Sequence, residues 1–258
     1  MGLQEALSRF AFTLSLIQAP RTVARIASEI CEDARAEGVT TLEIRFAPQL
    51  HTAAEIPMVV DAALEGIAGR AGLILCGLYG EPPALIEALV DAGATRDGVV
   101  GIDLAGGPSP DHQWHMADYA EVFGRAAALG LGRTVHAGEG RPADEIRLAI
   151  EVLGAQRIGH GLSVLDDPGL VQLVRDRAVT IEACPTSNWQ VGLIPSVADH
   201  PLPAWLDQGI RVCINTDNTL LSDVDAPEEY RRALAIPGMN IEKLNQAKLF
   251  GIESSFSA

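Results

Sequence analysis

The apolar positions of this chain switch period again and again. Short runs rich in β-branched residues stand at 41–47 (TLEIRFA), 73–79 (LILCGLY), 98–104 (GVVGIDL), 133–136 (RTVH), 156–160 (QRIGH), 178–183 (AVTIEA) and 210–216 (IRVCINT). Each is bounded by Gly, Pro or Asp, which reads as a strand. Between them the apolar residues recur at helical spacing, near 57–71, 83–92, 117–130, 143–153, 168–177 and 202–208. Two further helices, near 3–17 and 21–36, precede the first strand, and one or two more follow 227. Strand and helix alternating at this interval predict an α/β fold with a parallel sheet.

The unusual polar residues fall at the C-terminal ends of these strands. Asp103 leads into LAGG, His136 and Glu139 follow the fourth strand in VHAGEG, and His160 closes the fifth in RIGHGL. ACPTSNW follows the sixth strand, and Asp217 and Asn218 follow the seventh in INTDN. The C-terminal rim is where a (β/α) barrel builds its active site. One histidine at a strand end is more often structural. Two histidines, a glutamate and an aspartate at three strand ends make an active site the better account. His and Asp suit zinc, which lowers the pKa of a bound water toward neutrality. Glu139 stands three residues from His136, within reach of a substrate beside such a metal, and His160 on the next strand is placed to hold the hydroxide. Gly106 lets a backbone N–H approach a ligand with no Cβ in the way.

Composition narrows the classes. With 258 residues and 48% apolar content, the chain suits one α/β barrel with a large core. No apolar run approaches a membrane-spanning length. The segment 10–20 resembles a signal h-region, but Glu5 precedes it and no cleavage site follows, so it reads as an amphipathic helix of a cytoplasmic protein. A net charge of −15 argues against nucleic-acid partners. The four cysteines, Cys31, Cys76, Cys184 and Cys213, form no CxxC pair and read mostly as core thiols. Glu43 and Arg45 read as a structural ion pair. The acidic run 223–229 reads as a solvated loop. Asp217 suits a helix cap as well as a ligand, and Asn218 suits a turn.

Taken together, EIRFAP, GIDLAGG, VHAGEG, RIGHGL, CPTSN and INTDN resemble the adenosine deaminase family in order and spacing, from about residue 5 onward. The resemblance implies a (β/α)8 TIM-type barrel of the metal-dependent hydrolase kind, forming a single domain over 1–258. It implies zinc-dependent hydrolysis of adenosine or deoxyadenosine to inosine and ammonia. On that resemblance His136 and Asp217 are metal ligands and Glu139 donates a proton to purine N1. His160 orients and helps to deprotonate the attacking water, Gly106 offers its N–H to N3, and Asn218 faces N7. Many family members have Asp at the last position. The H-x-E and P-C-x-x-C signature of the cytidine-type deaminases is absent.

One departure bears on the metal. The family carries a His-x-His pair on its first strand, and none of the six histidines here (His51, His112, His115, His136, His160, His200) forms such a pair. Seven strands, where a closed barrel takes eight, lead to the same expectation: the first βα unit is missing and the chain is amino-terminally incomplete. Zinc is then expected to be weakly held or absent, with His51 and His112 the first substitutes to test. An open edge is expected between strands 41–47 and 210–216, available for self-association. The substrate expected is a small purine nucleoside. The alternatives are another adenine nucleoside such as 6-amino-6-deoxyfutalosine, or a non-catalytic barrel remnant.

Overall fold

Proline sets where many of the helices start. It occupies the first turn of α2 (Pro20–Ala36), α3 (Ile56–Ile67), α4 (Pro83–Ala94), α7 (Pro168–Asp176), α8 (Pro185–Gln190), α9 (Leu202–Asp207) and α11 (Ala226–Leu234). At that position its missing N–H costs no hydrogen bond and its fixed φ suits the helix. The remaining helices are α1 (Leu3–Leu16), α5 (Ala120–Ala128), α6 (Ala143–Glu151), α10 (Thr219–Ser222) and α12 (Ile241–Glu253). The strands are β1 (Glu43–Phe46), β2 (Gly72–Leu78), β3 (Val99–Ala105), β4 (Gly132–Ala137), β5 (Arg157–His160), β6 (Thr180–Ala183) and β7 (Arg211–Ile214). The structure, a computed structural model, describes residues 3–107 and 112–257. Among them no helix is long and apolar enough to cross a membrane.

The chain divides into two compact units. One comprises Ser8–Thr134 with Ser255–Ala258. In it β1, β2 and β3 pair in parallel, with Glu43 opposite Gly72 and Leu75 opposite Ile102. Six of the seven residues of β2 are buried, as expected where both faces of a parallel strand are covered. α4 packs on β2 and β3, burying Ile86, Leu89 and Val90. Arg45 Nη1 bonds Asp103 Oδ2 at 3.0 Å. His51 is buried and its Nδ1 bonds the Ile17 carbonyl at 2.8 Å. Glu43 accepts from Ser255 Oγ at 3.0 Å and from the Phe256 N–H at 2.6 Å. The Phe256 ring lies against β3 and β4: a Cβ on Gly132 would stand 2.2 Å from Phe256 Cγ, and one on Gly101 2.8 Å from Phe256 Cδ2. Only glycine at these positions admits the ring.

The other unit comprises Val135–Ser254 with Met1–Leu7. Here β5, β6 and β7 pair in parallel, with Arg157, Thr180 and Arg211 in one row. Every residue of β5 and β6 is buried, including two charges. Arg157 Nε meets Glu182 Oε1 at 2.8 Å, and Arg157 Nη1 donates to the Ser254 carbonyl at 3.2 Å. Such a pair is tolerated in a core because each charge neutralises the other. α12 packs on β7. All four cysteines are buried thiols in no disulfide, as expected of core thiols.

Candidate active site

In the second unit, β4 runs out at Ala137, one residue past His136. The chain then turns at Gly138, whose φ of 74° lies in the left-handed region. A Cβ there would also meet Ile146 Cδ1 at 2.7 Å and Ser163 Oγ at 2.8 Å. Glycine therefore permits the turn that returns Glu139 to the neighbourhood of β5. The Glu139 side chain is 12% exposed, and its Oε1 stands 3.7 Å from Nε2 of His160, itself 3% exposed.

His160 ends β5 with a φ of 64°. For a non-glycine residue this conformation is uncommon and costs free energy, and such residues gather at functional sites. The His136 and His160 rings lie with centroids 5.2 Å apart. Gly159 makes room for that arrangement: a Cβ on it would stand 3.1 Å from Cγ and 3.2 Å from Nδ1 of His136. VHAGEG and RIGHGL thus bring together three of the residues singled out from sequence.

Asp217 is exposed and also has a positive φ, 57°. Its Oδ2 accepts from Ser187 Oγ at 2.7 Å. The cap weighed for Asp217 falls instead to Asn218, read from sequence as a turn residue: its Oδ1 accepts the Leu221 N–H at 2.8 Å and starts α10. The cap occupies the amide oxygen. Gly106 follows β3 with a φ of 78° and belongs to the first unit.

The segment after the sixth strand holds the short helix α8, Pro185–Gln190, with Cys184 ahead of its first turn. Glu229, from α11, accepts the Thr186 N–H at 2.9 Å and also the Thr186 hydroxyl. A carboxylate there completes the first turn of α8, whose N–H groups have no partner within the helix. This corrects the reading of 223–229 as a solvated loop. Glu229 is 1% exposed, and burial pushes its carboxyl up from the ordinary range. α8 in turn presents Ser187 to Asp217 and Asn188 to His160, whose Nδ1 lies 2.9 Å from Asn188 Nδ2. Asn188 and His200, both buried, were not singled out from sequence. The motif containing Asn188 was a visible signal. His200 stands at no strand end and gave none.

Among the described residues, no group of three or more His, Cys, Asp and Glu side chains is arranged to hold a metal ion.

Residues 1–258 match the family model for adenosine deaminase. An adenosine deaminase of Clostridium perfringens (strain SM101 / Type A) is 34% identical over 266 residues, spanning 99% of this chain and 79% of that protein. One from Vibrio vulnificus (strain YJ016) is 35% identical over 244 residues, 90% of this chain and 73% of that protein. Among solved structures, an adenine deaminase from Arthrobacter aurescens superposes with a TM-score of 0.91 at 26% identity, covering 100% of this chain and 81% of that one. An amidohydrolase from Burkholderia ambifaria, with bound Zn, gives a TM-score of 0.84 at 26% identity, covering 93% and 69%. The α/β fold class expected from the strand and helix alternation is borne out.

Proposed function

Because the chain belongs to the adenosine deaminase family, we propose that it hydrolyses the 6-amino group of a purine nucleoside, adenosine or deoxyadenosine, to the 6-oxo purine and ammonia. The observation that carries this reading is the shielded pair of Glu139 and His160, 3.7 Å apart at adjoining strand ends.

Glu139 donates a proton to N1 of the purine. Protonation there draws electrons from C6 and makes it electrophilic. Water adds at C6, oriented by His160, and the C6–N bond breaks. As the water oxygen bonds to C6, one of its protons returns to Glu139; the other moves from the new C6 hydroxyl to the amino group, which leaves as ammonia, so N1 keeps the proton Glu139 gave and Glu139 finishes the cycle protonated. Asn218, its amide oxygen taken by the helix cap, keeps its NH2 group to donate to N7.

His136 and Asp217 are the residues we assign to a metal. They are two, and a catalytic zinc site takes three protein ligands. The described residues supply no group of three, so they do not by themselves fit zinc. The zinc-bearing relative from Burkholderia ambifaria supports metal binding as a property to test.

The Arthrobacter aurescens adenine deaminase favours a second reading, in which the substrate is the free base. The purine ring is common to both. Ammonia release from adenosine, deoxyadenosine and adenine, each with and without added zinc, separates them. Turnover of adenine alone would replace the nucleoside reading, and no ammonia from any substrate by the folded protein would overturn both.

A further inference from the structure

Three hydrogen-bonding groups run in a line behind His160. The backbone N–H of Leu202 donates to Nδ1 of His200 at 3.1 Å. A backbone N–H can only donate, so Nδ1 accepts and the proton of neutral His200 sits on Nε2. Nε2 faces Asn188 Oδ1 at 3.3 Å, which fixes the orientation of the Asn188 amide. Its NH2 group then donates to Nδ1 of His160 at 2.9 Å. His160 Nδ1 is thereby an acceptor, and the ring proton is carried by Nε2, the nitrogen on the Glu139 side. At 3.7 Å that N–H is beyond hydrogen-bond reach of the carboxylate.

We propose that His200 and Asn188 are positioning residues that lock His160 in its Nε2–H tautomer, so that the ring meets the reacting centre as a hydrogen-bond donor rather than a base. This rests on the deaminase reading above for the identity of the reacting centre, though the tautomer itself does not. Three features hold the line rigid. Asn188 is fully buried and sits on α8, whose first turn Glu229 closes. His200 is 2% exposed and packs edge-on against Trp205, with ring centroids 5.1 Å apart. Burial and the neighbouring His160 push the pKa of His200 down to about 3, so it stays neutral and its own tautomer is the one Leu202 selects. A donor at Nε2 holds the water by an oxygen lone pair and takes no proton from it. The proton transfers are left to carboxyl groups.

The test is NMR of the full chain labelled with 15N in histidine, which reports which nitrogen of each neutral ring carries the proton. In the unmutated protein, His160 should carry it on Nε2. Asn188→Asp replaces the donor by a carboxylate that prefers Nδ1–H, and should move the proton to Nδ1. His200→Phe keeps the ring against Trp205 but removes the donor, and should leave a mixture. His200→Gln restores a donor near Nε2 and should restore the single tautomer. Deamination should follow the same order, with kcat falling roughly 10²-fold or more in Asn188→Asp, KM changing little, and His200→Gln recovering most of the His200→Phe loss. An Nδ1–H tautomer in the unmutated protein would overturn the proposal, whatever the variants do. So would an unchanged tautomer in folded Asn188→Asp, or an unchanged kcat once the tautomer has moved. The predicted tautomers without any deaminase activity would overturn the deaminase reading and leave the tautomer lock standing.

Discussion

Replacing Gly159 by alanine puts one methyl group between β5 and His136. The new carbon would stand 3.1 Å from Cγ, 3.2 Å from Nδ1 and 3.3 Å from Cα of His136, where carbon contacts normally settle at about 3.5–4.0 Å. Turning the imidazole relieves the first two contacts but not the third, because Cα belongs to the β4 backbone. The strands must part locally. Overpacking of this kind costs about 1–3 kcal/mol. Gly159 is not among the positive-φ residues, so alanine meets no left-handed strain, and the stiffer unfolded chain offsets about 0.4–1 kcal/mol. The net expectation is a loss of about 1–2 kcal/mol. With a urea slope near ~3 kcal/mol/M, that lowers the unfolding midpoint by about 0.3–0.7 M at constant slope. Gly124→Ala is the matched control. It lies exposed in the middle of α5, and its added methyl meets no atom within 4 Å. It should gain about 0.5–1 kcal/mol. A displaced His136 should also lower turnover, by up to ~10²-fold for a shift of about 1 Å. A Gly159→Ala midpoint at or above that of the unmutated protein would refute the packing argument.

Glu139→Gln keeps the shape of the side chain but has no acidic proton, and kcat for adenosine should fall at least ~10²-fold with the fold intact by circular dichroism; unchanged turnover would remove Glu139 from the proton-donor role. The dialysed chain should hold well under one zinc per chain by elemental analysis, since only His136 and Asp217 are assigned to a metal; full occupancy would point to a further ligand. Asn218→Ala should cost about 0.5–2 kcal/mol through the lost α10 cap, whereas Asn218→Asp keeps a capping oxygen and should stay within about 0.5 kcal/mol. His200 titrates at 6.5 when unfolded and about 3 when folded, so below pH 6.5 the unfolded chain binds the extra proton. Its contribution is complete above pH 6.5 and is lost as pH falls toward about 3, with a slope of up to ~1.4 kcal/mol per pH unit. The difference in stability between His200→Phe and the unmutated protein should shrink over that range, and a difference independent of pH would contradict a neutral, buried His200.

The strands were legible because β-branched runs ended by Gly, Pro or Asp leave little else to form. Their trimming was not. The run 178–183 enters its ladder only at Thr180, since Ala178 turns with a φ of 50°, and the run 210–216 leaves it at Ile214, ahead of the turn at Asp217. α8 escaped the reading because six residues show no helical period and its first turn depends on Glu229, 43 positions away. The same distance hid the burial of Glu229 inside an acidic run. His136, Glu139 and His160 could be found because strand ends converge on one rim. His200 could not, because its connection to His160 passes through Asn188 and exists only in three dimensions. His51, a candidate substitute ligand by its place in the sequence, is a core histidine bonded to the Ile17 carbonyl.

Phe256 sets an order of events during synthesis. The glycine faces of β3 and β4 that receive its ring, and Glu43, which accepts its N–H, leave the ribosome well over a hundred residues before it does. Translation delivers domains from the amino terminus, and each generally folds as a unit. Here the first unit emerges without the aromatic ring that covers its glycines and without the Phe256 N–H that Glu43 accepts. The whole of the second unit must be made before either arrives. The nascent first unit therefore waits with its strand glycines uncovered, and its last step of folding follows the synthesis of the second unit.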